Sequence, residues 1–209
     1  MAYQARGESE AAERYGARSL ELSETLDQPN DRAFALYINA MSRQLAADHD
    51  ATLEFARRAA TISEKFGLAP WRGGSLILMA WATAMGGGTA DAADIIDAEI
   101  EQTASTSPAV IYYLGLAGEV LLAANRPADG IALLNRALVG IEEPSVGFYL
   151  SEIYRLRGEC LLAMDRKNKD EARQVFMVAR DIANRQGVLI LARRAEASLL
   201  RVANGLSNG

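Results

Sequence analysis

Gly118-Glu119-Val120-Leu121-Leu122-Ala123 recurs as Gly158-Glu159-Cys160-Leu161-Leu162-Ala163, five identities in six at a spacing of 40. A period of this length decides the architecture before any single motif does, because one such repeat cannot bury its apolar face without its neighbours. Counting back from Gly118 reaches Ala80 and Ala40, so a small residue returns at spacings of 40, 38 and 40. A second series runs Ala12, Thr52, Ala92, Gly130, Ala172, and a third Ala59, Glu99, Ala137, Ala179, in which Glu99 is a misfit. Small residues at fixed places mark close helix contacts, and a larger side chain there overpacks.

Between these marks the apolar residues keep helical spacing, as in Ile95, Ile96, Ile100 and in Val175, Phe176, Ala179, Ile182, so each repeat reads as two amphipathic helices. The pattern predicts helices at about 8–26, 31–46, 51–66, 70–86, 90–104, 109–124, 127–142, 147–164, 169–186 and 188–204. Pro29, Pro70, Pro108 and Pro144 precede first helices and Pro127 opens a second one, where a missing N–H costs nothing. Gly7, Gly87, Asn125 and Asp165 fall in the tight turns, where such residues are favoured. The expected fold is all-α, a right-handed α-solenoid of antiparallel helix hairpins. It is read as one domain, with a partial first repeat at 1–30, four helix pairs at 31–187 and a capping helix and tail at 188–209.

Composition agrees with a folded chain that needs no staple. Of 209 residues, 50% are hydrophobic and 23% charged, and at this length folding removes roughly 70% of the unfolded surface from water. A single cysteine, Cys160, and a single histidine, His49, cannot supply a disulfide or a histidine-based metal set. No apolar leader and no uninterrupted span of 18 apolar residues occurs, which points to a cytoplasmic protein. The net charge of −5 argues against nucleic acid as the partner, although it is unevenly placed: 11 basic against 20 acidic residues in 1–150, and 11 against 7 in 151–209.

The glycine, the turn residue seven positions on, and the small residues twelve and nineteen positions on, as in Gly118, Asn125, Gly130 and Ala137, resemble the tetratricopeptide repeat. The longer period is similar to that of MalT-type regulators. Phe148-Tyr149-Leu150-Ser151-Glu152-Ile153-Tyr154-Arg155-Leu156-Arg157-Gly158 and the later Ala183-Asn184-Arg185-Gln186-Gly187 and Ala192-Arg193-Arg194-Ala195 look like the C-terminal array of bacterial regulators that couple an adenylate cyclase or a DNA-binding domain to an ATPase module. The resemblance covers about 31–204. It implies that this chain is the C-terminal part of a longer regulator whose own cyclase and ATPase motifs are not in this sequence. It also implies groove-facing positions at Tyr37, Gln44, Trp81, Tyr112, Glu119, Glu152, Arg155 and Glu159. The position that carries asparagine in carboxylate-clamping members is here Met41, Trp81, Glu119 and Glu159, which argues against that activity.

Other chemistry reads more plainly. Gly86-Gly87-Gly88-Thr89 and Gly73-Gly74-Ser75 lack the strand and lysine of a phosphate loop and read as a helix turn and a helix start. Asp91, Asp94, Asp97 and Glu101 stack carboxylates on one helix face, where a solvated stripe outweighs a basic-partner contact or a cation site. His49 between two aspartates reads as a surface residue, and Cys160 as a buried, inert thiol. Arg193, Arg194 and Arg201 read as a solvated capping face, with docking to a protein domain or to nucleic acid as alternatives.

These features lead to the expectation of a non-catalytic protein–protein interaction and regulatory module without cofactor or metal. Its partner would be a protein, a peptide or upstream domains of the same polypeptide, basic or amphipathic in character, with no membrane role. The alternative is a small-effector sensor whose ligand stacks on Trp81 and Tyr112 in the concave groove. The helix at 8–26 would leave Tyr15, Leu20 and Leu22 facing water and favour homo-oligomerisation or disorder at that end.

Overall fold

The computed structural model describes residues 2–106, 109–139 and 147–205, and among them every regular element is helical. Pro108, Pro144 and the tail from 206 lie outside the described residues, whereas the helix expected to reach 142 ends at Leu138, where Val139 turns to extended backbone. The helices fall into two compact units, residues 1–107 and 108–209.

In the first unit, α1 (Ala2–Ala5), α2 (Ser9–Leu26), α3 (Pro29–Leu45), α4 (His49–Phe66), α5 (Ala69–Met85) and α6 (Thr89–Thr106) pack each against the next, and α3 also meets α5. In the second, α7 (Val110–Ala123), α8 (Pro127–Leu138), α9 (Leu150–Met164), α10 (Lys169–Gln186) and α11 (Leu189–Ala203) do the same, with α9 touching both α7 and α11. A 3₁₀ turn at Arg166–Asn168 joins α9 to α10. Most helix bounds fall within two residues of the sequence reading, because capping and turn residues stop a helix where the apolar period stops; the exceptions are the end of α8, four residues early, and the start of α9, three residues late.

The small-residue series lies at helix contacts in both units. Ala40 and Ala80 are completely buried. A Cβ on Gly118 would stand 2.8 Å from Leu134 Cδ2, and one on Gly158 would stand 2.5 Å from Phe176 Cε1. α7 therefore closes on α8, and α9 on α10, at a distance only hydrogen permits at those positions. The misfit in the third series has a local reason, since the carboxylate of Glu99 pairs with Arg72 at 3.5 Å.

The turns repeat less evenly. Gly7, Gly87 and Asn125 adopt left-handed backbone at φ 77°, 101° and 58°. Asp165 does not: its φ is −155°, and its side chain accepts a hydrogen bond from the Lys167 amide at 2.8 Å. In the same series Ala47 takes φ 58°, a conformation that crowds its Cβ.

At the N-terminal end Tyr15 and Leu22 are exposed and Leu20 is half-buried. α1 shields one ring, with Tyr3 stacked on Tyr15 at a centroid distance of 4.9 Å. Among the described residues no helix is long and apolar enough to cross a membrane.

Candidate functional site

The residues expected to face a groove divide by unit. In the first, Gln44 and Trp81 are buried within the helix layers, and Trp81 is only 2% exposed. His49, at the start of α4, sets its ring edge-on to Trp81 at 5.3 Å. Tyr37 is also buried, and its ring lies 5.7 Å from that of Trp71. In the second unit Tyr112 is 2% exposed, in a ring cluster with Tyr113, Phe148 and Tyr149. As placed, Trp81 and Tyr112 offer a partner little ring surface.

Glu119, Glu152, Arg155 and Glu159 are brought together. Their helical spacing explains part of it, since Arg155 lies three residues after Glu152 and four before Glu159 on α9, where such residues are neighbours. Arg155 donates through Nε and Nη2 to the two carboxylate oxygens of Glu152 at 3.0 and 2.7 Å. It donates through Nη1 to Glu159 Oε1 at 3.2 Å, and its Nη2 stands 3.7 Å from Glu119 Oε1 across on α7.

The last helix completes the cluster. Arg194 Nη1 donates to Glu152 Oε1 at 3.0 Å, Ser198 Oγ donates to Glu159 Oε1 at 2.6 Å, and Arg201 pairs with the same Glu159 oxygen. Three carboxylates and three guanidinium groups thus meet, and their formal charges cancel. Burial alone would push the Glu152 carboxyl up, but Arg155 and Arg194 overcome this and hold it down to about 2. The same pairing raises the pKa of Arg155 and Arg194 against the effect of burial. The pairing thus favours the charged forms of Glu152, Arg155 and Arg194.

Cys160 sits beside this cluster, and burial together with the Glu159 charge pushes its thiol up to about 12. An attacking thiolate is unavailable at such a value. Asp91, Asp94, Asp97 and Glu101 are exposed on α6, and among the described residues no three His, Cys, Asp or Glu side chains are grouped to hold a metal ion.

Two features went unread in the sequence. Arg194 and Arg201 are not a solvated face but two of the three arginines of the ion cluster, while Arg193 is exposed. The signal lies in the repeat itself: adding 40 to Gly158 gives Ser198, which places the arginines around it on the face that meets α9. The second feature is an aromatic ledge on the first unit. Phe34 is 44% exposed, its ring lies 5.0 Å from that of the half-buried Trp71, and Trp71 Nε1 donates to Asn30 Oδ1 at 2.9 Å. Phe34 stands 78 residues before Tyr112, two repeats back, so the repeat spacing itself reaches it.

Compared with known proteins, the chain matches no family model and no curated protein.

Proposed function

We propose that this chain is a non-catalytic interaction and regulatory module of tetratricopeptide type, a right-handed α-solenoid that acts as one domain within a larger cytoplasmic signalling regulator. The repeated hairpins support this reading, with small residues at equivalent contacts and first helices that touch one another within each unit. Stacked repeats present extended surfaces suited to peptides, helices or neighbouring domains. The charge cluster supports a structural role for its members, because catalysis needs groups that change protonation or meet a substrate.

The observation that carries the reading is the aromatic ledge. Phe34 and Trp71 present ring surface from consecutive first helices, and Asn30 fixes the indole. Exposed aromatic residues that are already ordered make strong interface anchors, since little side-chain freedom is lost on binding. The partner this surface suits is an amphipathic peptide or helix, laying an apolar side chain across the exposed faces of the two rings.

Peptides selected from a random display library against the whole chain test this. Binding should fall by about 2 kcal/mol or more in Phe34→Ala or Trp71→Ala, and stay unchanged in Asp94→Asn on the exposed acidic face of α6. Selected peptides that bind both ledge variants normally would overturn the assignment.

A further inference from the structure

A hollow of about 280 Å³ opens in the first unit between α2 and α4, over α3. Its floor is apolar: Leu20 and Ile62 are half-buried and Leu36 is buried, so part of two aliphatic side chains still meets water. Its rim is basic, with Arg32, Arg57 and Arg58 against one carboxylate, Glu24.

The three guanidinium groups are not equally engaged. Arg58 pairs with Glu54 at 3.5 Å and lies over the Phe55 ring, and Arg32 stands 3.9 Å from the exposed Asp27. Arg57 is exposed and has no carboxylate within ion-pair distance among the described residues. A free guanidinium above aliphatic surface matches one chemistry, an anionic head on a short apolar body. Planar carboxylates suit guanidinium best, because its paired N–H groups meet both oxygens. The volume lies at the small end of ligand clefts, which start at roughly 300 Å³, so the body is short.

We propose that this hollow binds a small amphipathic carboxylate, with its apolar body on Leu20, Leu36 and Ile62 and its head on Arg57, flanked by Arg32 and Arg58. Glu24 on the rim disfavours dianions and so sharpens the preference for a monocarboxylate. The site is independent of the aromatic ledge, and either proposal can fail without the other.

Methyl-resolved NMR of the whole chain, titrated in turn with octanoate, octan-1-ol and inorganic phosphate, tests the site. Octanoate should shift the methyl signals of Leu20, Leu36 and Ile62 saturably, octan-1-ol should bind at least about tenfold more weakly, and phosphate should leave these methyls in place. Arg57→Gln should weaken octanoate by about tenfold, and Arg57→Lys should recover part of the loss. Arg57 is exposed, so both variants keep the fold, checked on the unshifted methyls elsewhere. No saturable shift with octanoate, equal binding of octan-1-ol, equal shifts by phosphate, or an unaffected Arg57→Gln would each overturn the proposal.

Discussion

The two units place different chemistry at matching positions of one frame. Adding 78 to Met41 and Trp81 gives Glu119 and Glu159, and adding 78 to Phe34 and Trp71 gives Tyr112 and Tyr149. The aromatic contact is kept: Phe34 and Trp71 lie 5.0 Å apart, Tyr112 and Tyr149 4.9 Å. Its exposure is not, for Phe34 meets water while both tyrosines are buried. At the other pair of positions the first unit buries Met41 and Trp81, whereas the second pairs Glu119 and Glu159 with arginines. The repeat fixes where side chains meet, and the local residues decide whether the contact is oily or ionic, open or closed.

The largest expected effect breaks the ionic side of this comparison. Arg155→Ala leaves Glu119, Glu152 and Glu159 with two arginines in place of three, and stranding charge in a buried cluster costs about 3–5 kcal/mol. Urea unfolding should show the loss as a lower midpoint. Arg18→Ala, at an exposed pair with Glu21, should leave the midpoint where it was.

Acid should reach the second unit through the same cluster. The Glu152 carboxyl falls from 4.5 to about 2 on folding, so its contribution is complete above about pH 4.5 and is lost as pH drops through about 2. That drop corresponds to about 3 kcal/mol. Both tryptophans, Trp71 and Trp81, lie in the first unit. Amide exchange in α9 and α11 should therefore rise at a higher pH than the one at which tryptophan fluorescence changes, and Glu152→Gln should flatten the acid limb. Coincident transitions in the two signals would argue against a distinct acid response in the second unit.

Gly158→Ala sharpens the packing side. The added methyl would meet the buried Phe176 ring at 2.5–2.9 Å, and overpacking of this kind costs about 1–3 kcal/mol, read as a lower thermal midpoint. The smallest effect has the opposite sign. Ala47 holds φ 58° where the matching turns use Gly87 and Asn125, so Ala47→Gly should raise stability by about 0.5–1 kcal/mol, the relief of left-handed strain less the entropy glycine loses.

The helices were legible because glycine, proline and the apolar period state the same boundaries independently. The contact positions were legible as well, since only small residues fit there, and even Glu99 was visible as an exception. Arg155 with Glu152 and Glu159 could be placed on one face by spacing alone. What spacing does not give is the depth of that face: Glu152 is fully buried, with Arg194 of α11 against it, and α11 lacks the glycine that marks the equivalent contact at Gly118 and Gly158, carrying Ser198 there instead. The burial of Trp81 and Tyr112 escapes the sequence for the same reason, since a helix position fixes direction but not what lies in front of it. The Ala47 turn carried no signal because alanine is not a turn residue by composition.

Amide hydrogen exchange of the whole chain, with and without a peptide selected for binding, tests the contrast between an open first unit and a closed second one most directly. The account predicts new protection at residues 30–37 and 69–75, around Phe34 and Trp71, and none at 152–159 or 194–201. Protection centred on the Glu152, Arg155 and Arg194 cluster, with the ledge unchanged, would contradict it.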